Sequence, residues 1–463
     1  MSAGAFSQGD DSEHRTQRMT REEAKRLADR VLSISRADQT RVNITSEWSG
    51  NTRFADASIT TSGGVTDVSL TVTVTIGRRR ASATTNVLDD ASLQRTVELA
   101  AQLARLSPED SELMPELGPQ NYASIDAYVE DTANLTPVAR AGAVRRAVEG
   151  AGAKIFSAGF LDAHAIAVAV ATSNGLFAYH RMTDADFSMT ARTPDGTGSG
   201  WARSGSRDWG QIDPAAVGRI ASRKAQTSRS PQAIDPGPYT AVLEPHAVND
   251  LVPLLAGALN ARNADEGRSA FSKPGGGTKI GEKVADERVT LYTDPADPEL
   301  LGMPFDVEGL PIKRTVWIEK GILRNLAYTR FWAQRQNVQP TGTTIYNNSS
   351  VVTGGGLKLV GGTKTTDELI AGCKYGVLIT HFFYIRYLEP RTVLHTGLTR
   401  DGAFLIESGK VTTPLKNFRW NESPLLMLNR LEDIGRSEAV AAGRRMPALR
   451  IRDFNFTSLS DAV

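Results

Sequence analysis

The sequence predicts an α+β protein. Its N-terminal domain repeats a helix–antiparallel sheet–helix pattern, and its C-terminal domain is mostly antiparallel β-sheet with a few helices. Three observations predict this. Strand segments alternate apolar and polar residues with period two, helical stretches carry their own start signals, and the order helix, strands, helix occurs twice within residues 20–228.

Residues 1–19 are polar and offer little to bury, so they read as a disordered tail. "TREE" opens the first helix as a capping box, Thr20 and Glu23 closing each other's backbone donors. Ala24, Leu27, Ala28, Val31 and Leu32 then share one helical face. In "VSLTVTVTI", Val68, Leu70, Val72, Val74 and Ile76 alternate with hydroxyl residues, the pattern of a half-buried antiparallel strand. A helix follows over about 89–106, and then a proline-rich stretch from Ser107 to Pro137 reads as a long link.

The pattern then begins again. Pro137 occupies a first helical position in "TPVARAGAVRRAVEGAGA". "AIAVAVAT" and "LFAYHRM" flank Asn174-Gly175, a two-residue hairpin signal because both residues tolerate positive φ. "DFSMTAR" reads as a further strand, followed by a Gly/Ser-rich loop and the helix "DPAAVGRIASRKAQTS". Residues 20–235 are thus one α+β domain, and "SRSPQAIDPGP" marks its boundary with residues 236–463. In that second domain "VWIEKGIL" and "FLIESGKV" predict tight hairpins with Gly321 and Gly409 at positive φ, and "TTDE" opens another capped helix.

Composition excludes several classes. Lysine plus arginine is 53 and aspartate plus glutamate is 52, so no global field attracts nucleic acid. The single cysteine, Cys373, excludes a disulfide framework and fits a reducing compartment. No apolar run is long enough to span a membrane, and the N-terminus has no signal-peptide core, so the expected location is cytoplasmic.

Four runs, "GRRRASATTNVLDDASLQRTVELA", "VATSNGLFAYH", "FDVEGLPIKRTVWIEKGILRNLAYTRFWAQ" and "GAFLIESGKVTTPLKN", fall in an order that resembles the TldD/PmbA (TldE) family. The resemblance implies a cytoplasmic two-subunit metallopeptidase. In it, the TldD-type subunit carries zinc and cuts extended, unfolded or leader-type peptides, while the TldE-type subunit lacks the metal site. It also implies that a TldD-type chain has a His-Glu-x-x-x-His helix and a late cysteine. In it the two histidines, five apart on one helix, hold one Zn²⁺, and the glutamate beside the first serves as base for the bound water.

In this chain the corresponding segment is "EPHAVNDLVPLLAGAL", expected to be a buried helix, and the ligand positions fall at Pro253, Leu254 and Ala258. None can bind zinc, and the late segment "RSEAVAAGRRMPALRIRDFNF" has no cysteine. The resemblance is therefore to the non-catalytic branch, with no catalytic or metal residue and no cofactor in this chain, and with zinc in a TldD-like partner. His246 and Asp250, four apart, make two ligands where a catalytic site has three, and the competing reading of His246 is a capping or exposed histidine. Cys373 reads as a small buried hydrophobe in a last helical turn, and as a ligand it would need His381 or His395. His164 and His180 read as sheet-surface residues.

The segment 379–402 is dense in aromatics and arginine, and the resemblance puts it at a sheet edge near the peptide cleft. Phe383, Tyr384, Arg386 and Arg391 are its candidate substrate- or partner-contacting residues, against a reading as a core strand with one aromatic face. Two other functions stay open: an active metallopeptidase with a metal held by Cys373, His381 and His395, and a stand-alone peptide-binding scaffold.

Overall fold

The computed structural model describes residues 19–460 except 301, 343, 347–348 and 352–355, with backbone only at 344–346 and 349–351. The expected tail lies, apart from Met19, outside the described residues. Strands β1 (Gln39–Ala55), β2 (Ser58–Ile76), β3 (Arg79–Thr85), β4 (Phe156–Thr172), β5 (Phe177–Arg192) and β6 (Ser199–Ser206) form one antiparallel sheet in the order β3-β2-β1-β4-β5-β6. Helices α1 (Arg21–Ile34) and α2 (Asp90–Leu106) flank the first three strands in the chain. A short α3 (Glu130–Ala133) precedes α4 (Pro137–Ala151), which with α5 (Pro214–Thr227) flanks the second three. The two helix–strands–helix units thus join through β1 and β4, which pair antiparallel at the sheet centre from Arg41↔Thr172 to Ala55↔Ala158.

One face of the sheet carries all four long helices. Ala24, Leu27, Ala28 and Val31 of α1 and Leu93, Val97, Ala100 and Ala104 of α2 pack on Val42, Ile44, Leu70, Val72 and Val74. Ala143, Val144 and Ala147 of α4 and Val217, Ala221 and Ala225 of α5 pack on Leu161, Ala163, Ala185, Phe187 and Met189. The cap signals act where expected: Thr20 and Glu23 form both bonds of a capping box, and Thr136 caps α4 with Pro137 at its start. Arg140 of α4 is buried and ties this layer to the first hairpin, donating to Thr52 Oγ1 (3.2 Å), Leu135 O (2.9 Å) and Gly63 O (2.9 Å).

Helices α4 and α5 approach closely at Gly218, where a Cβ would sit 2.0 Å from the Ala147 carbonyl oxygen. Backbone cannot yield as a side-chain tip can, so Gly218→Ala is expected to lower stability by about 1–3 kcal/mol, read from chemical denaturation.

Several local expectations are corrected. "LFAYHRM" and "DFSMTAR" are one continuous strand, β5, because it pairs with β4 without a break from Ala171↔Phe177 to Phe156↔Arg192. The Gly/Ser-rich segment forms β6, paired to β5 from Arg192↔Ser199 to Ala185↔Ser206. The β4–β5 turn is longer than two residues: Thr172 N donates to Leu176 O, Gly175 N to Thr172 O, and only Gly175 of the Asn-Gly pair has positive φ. That is a type I turn followed by a left-handed glycine, the usual three-residue alternative. The proline-rich link is anchored by buried Glu116, which accepts from Arg41 (3.1 Å) and Arg80 (3.1 Å).

The second half comprises β7 (Gly237–Leu243), α6 (Pro245–Leu251), α7 (Ala261–Asp265), β8 (Leu291–Thr293), β9 (Thr315–Glu319), β10 (Ile322–Leu323), α8 (Arg330–Gln336), β11 (Thr344–Tyr346), β12 (Ser349–Val351), β13 (Leu357–Leu359) and α9 (Thr366–Ala371). It continues through β14 (Tyr375–Glu389), β15 (Leu394–Glu407), β16 (Lys410–Leu415), β17 (Phe418–Glu422), α10 (Pro424–Asn429), β18 (Leu431–Ala441) and β19 (Arg444–Leu459). Its main sheet is mixed, since β14 pairs parallel with β7 and β13 parallel with β19, while its other pairings are antiparallel. Both glycine hairpins form: Lys320-Gly321 and Ser408-Gly409 have positive φ at both positions, which matches the twist of the strands they join. No helix among the described residues is long and apolar enough to cross a membrane.

Candidate functional site

The helix-free face of the first sheet meets the second half around Trp201, on β6. Ala202 points into the helix-covered core, so Trp201 and Arg203 point the other way. The Trp201 ring lies between two imidazoles from the second half, His246 edge-on at 5.2 Å and His381 tilted at 4.4 Å.

His246 sits in the first turn of α6, after Pro245 at its start. Its Nε2–H donates to the Arg203 carbonyl (3.1 Å). It is therefore neither an exposed nor a capping histidine. Burial, with Lys224 and Arg203 close by, pushes its pKa down to about 3. One turn on, Asp250 accepts the Phe382 N–H (2.8 Å), and burial raises its pKa to about 6.

His381 reaches the carboxylate of Asp401 through Nε2 (3.1 Å), and Nδ1 lies 3.1 Å from the Phe382 carbonyl oxygen. The other oxygen of Asp401 accepts the Ser199 hydroxyl. Burial alone would raise the Asp401 pKa, but the His381 and Ser199 bonds outweigh it and hold the carboxyl below its usual value. Serine, aspartate and histidine are thus linked with the carboxylate in the middle. The imidazole does not touch the hydroxyl, and a carboxylate of depressed pKa is a poor base near neutrality, so this is a structural bridge between the two halves and not a nucleophile. A 430 Å³ cleft opens beside it, lined by Ser199, Ser228, Asp401, Lys416 and Asn417 among others.

The zinc-helix expectation can be tested residue by residue. The α-helix ends at Leu251, and Val252–Gly257 continue as a 3-10 helix, so the expected single helix is broken. Pro253 lies in its first turn, and nothing from Leu251 to Leu259 carries a nitrogen, oxygen or sulfur ligand on its side chain. These residues do not fit a zinc ion. Among the described residues no three His, Cys, Asp or Glu side chains come together to hold a metal. Cys373 lies one residue beyond the α9 cap, not in its last turn, and is buried among Val242, Leu369, Leu378, Phe404, Ile406 and Ala448. His395 meets the Tyr387 ring edge-on at 4.6 Å, and its Nδ1–H donates to Val393 O (2.8 Å).

Of the two histidines of the first sheet, His180 departs from the expected sheet surface. His180 is buried with Nε2 unpartnered, and its pKa falls to about 4 by desolvation. His164 is flanked by Asp162 (3.3 Å) and Glu47 (2.7 Å), which raise its pKa to about 9.

The aromatic segment is split by burial. Strand β14 is buried from Gly376 to Phe382 and mainly exposed from Phe383 onward, with Phe383, Tyr384, Tyr387 and Leu388 each about half accessible. Strand β7 covers its outer side only at Val377–Ile379, so its distal part keeps β15 alone as a neighbour. A bulge at 383–386, with Tyr384 at φ 54°, turns these side chains outward. Arg386 stacks on Tyr384 (4.2 Å) and Arg400 on Phe383 (4.3 Å), while the Arg391 N–H is held by Glu389 (2.8 Å).

Residues 124–229 match the PmbA/TldA metallopeptidase central domain, and residues 236–458 match the corresponding C-terminal domain. Among curated relatives, a metalloprotease of Methanothermobacter thermautotrophicus is 26% identical over 38% of this chain and 41% of its own length. A metalloprotease TldD homolog of Buchnera aphidicola is 26% identical over 34% of this chain and 33% of its own length. The chain therefore matches less than half the length of either relative. A Thermotoga maritima structure described as a modulator of a DNA gyrase superposes with TM-score 0.84 at 18% identity, covering 94% of this chain and 100% of that one. TldE from Thermococcus kodakarensis gives 0.83 at 16%, covering 93% and 99%, and both show the fold. The two domain matches together take in well over half of the sequence, and the protein belongs to the PmbA/TldD family of metallopeptidase-related proteins.

Proposed function

We propose that this chain is the zinc-free, TldE/PmbA-like subunit of a heteromeric, cytoplasmic TldD/TldE-type metallopeptidase acting on unfolded or leader-type peptides. The observation that carries the reading is the segment Leu251–Leu259, which the family resemblance aligns with the zinc helix and whose side chains cannot ligate a metal. Zinc and the base belong to a TldD-like partner. The distal part of β14 supports the pairing role, since its half-open edge offers backbone hydrogen bonds and its aromatic–arginine surface is of the kind enriched in interface cores.

Native mass spectrometry of this chain co-produced with a TldD-like subunit tests the reading. The expected result is a mixed complex whose zinc leaves with the partner; zinc that stays with this chain alone overturns it. In the same assay the double substitution Phe383→Ser, Tyr384→Ser is expected to weaken the complex by about 30-fold or more, the scale of losing aromatic anchors. Unchanged association would remove the β14 edge from the interface.

A further inference from the structure

A second pocket lies on the same inter-half seam and shares Arg203 with the Trp201 network. It measures 230 Å³, and its walls come from both halves. Asp162 and His164 of β4, Asp184 and Asp186 of β5 and Arg203 of β6 form the sheet wall. The turn from Ala441 to Arg444, between β18 and β19, forms the other.

The sheet wall is costly. Asp162 stands directly opposite Asp186 across the β4–β5 ladder, and Asp184 lies opposite His164. Like charges placed opposite each other in an antiparallel pair destabilise it. Two of the three carboxylates are partly compensated, Asp186 by the Arg203 Nε–H (2.6 Å) and Asp162 by His164 (3.3 Å). Asp184 is half-buried and accepts no hydrogen bond among the described residues, and Arg207, His164 and Arg203 offset its charge only from a distance.

The opposite wall holds the complementary surplus. The Arg444 guanidinium is half-buried, yet it makes no hydrogen bond and no ion pair among the described residues. Arg444 and Asp184 attract each other across the pocket without forming an ion pair. A half-buried charge without a hydrogen-bonding partner is costly, and here one such cation and one such anion face the same cavity.

We propose that this pocket binds a small zwitterion of the free α-amino acid class, its ammonium on Asp184 and Asp162 and its carboxylate on Arg444. The pocket has room for more than one water molecule, as such a ligand needs. An anion alone would leave Asp184 unpaired and gain repulsion from three carboxylates. A cation alone would leave Arg444 unpaired. Only a ligand with both charges completes both walls. The site is independent of the subunit assignment, since none of its residues lies in the zinc-helix segment or on the β14 edge.

Isothermal titration of the full chain with glycine and L-alanine, against propionate and ethylammonium, tests the proposal. The expected result is saturable binding of the amino acids with a dissociation constant on the order of 1 mM or tighter, and at least tenfold weaker binding of either single-charge analogue. Asp184→Asn and Arg444→Gln are each expected to weaken alanine binding by about tenfold or more, the scale of one charge-assisted hydrogen bond. The analogue series uses the unaltered protein, so it decides the matter even if a variant fails to fold. Equal binding of propionate, or no saturable binding of either amino acid, overturns the proposal.

Discussion

Asp401→Ala is expected to lower stability by about 3–5 kcal/mol, the scale of breaking a buried charged pair from one side. Asp401 is 4% exposed and holds two partners from different halves of the protein, the Ser199 hydroxyl of β6 and the His381 imidazole of β14. Removing the carboxylate strands both. The residue also has φ 55°, a region that aspartate and asparagine occupy more readily than alanine. Asp401→Asn should therefore cost clearly less than Asp401→Ala, because it keeps an acceptor for one partner and tolerates the backbone. A double-mutant cycle with Ser199→Ala isolates the bond across the halves. Additive effects within about 0.5 kcal/mol would show that the two groups do not support each other.

A second large effect is expected in the pH dependence of His246→Gln. In the folded protein His246 titrates near 3 instead of 6.5, so its contribution to stability is complete above 6.5 and is lost as pH falls below that value. Asp250, one helical turn away, has the opposite sign. Its folded value of about 6 against 3.8 means that its contribution is complete below 3.8 and is lost as pH rises through 6. From pH 6 to about 4 the two slopes cancel in the native protein. Replacing His246 removes one of them. The variant should gain stability relative to the native protein by about 1.4 kcal/mol per pH unit as pH falls over that window, on top of a pH-independent loss of ring packing against Trp201. Denaturant titrations at pH 4, 5 and 6 measure it. Parallel profiles would mean that His246 titrates normally in the folded state.

The sequence was most legible where structure is decided locally. The Thr20–Glu23 and Thr365–Glu368 capping boxes, Pro137 at a helix start and the glycines of the 320–321 and 408–409 turns each specify their geometry within four residues, and all form. Strand β6 was not legible, because "SGWARSGS" has little intrinsic strand preference and is held by its pairing with β5 and by α5 packing closely over it. The break in the helix after Leu251 had a signal in Pro253, which cannot continue an α-helical ladder. The inter-half site was illegible for a different reason. Trp201, His246 and the His381–Asp401 pair come from three distant segments, and no spacing along the chain announces that they meet. The aromatic segment was legible as unusual, but its division into a buried part and an open part depends on how far β7 reaches along β14.

The central pairing of β1 with β4 also has a consequence in time. During synthesis β1 emerges with β2 and β3 as an incomplete meander, while the strand that must close its other side begins about 100 residues later. At roughly 5–20 residues per second, the inner edge of β1 waits on the order of 5–20 s before its partner leaves the ribosome. For that interval the middle of the finished sheet is a raw margin, a 17-residue strand able to pair with any other extended chain. The nascent protein thus has its greatest need of a chaperone before its second helix–strands–helix unit has emerged.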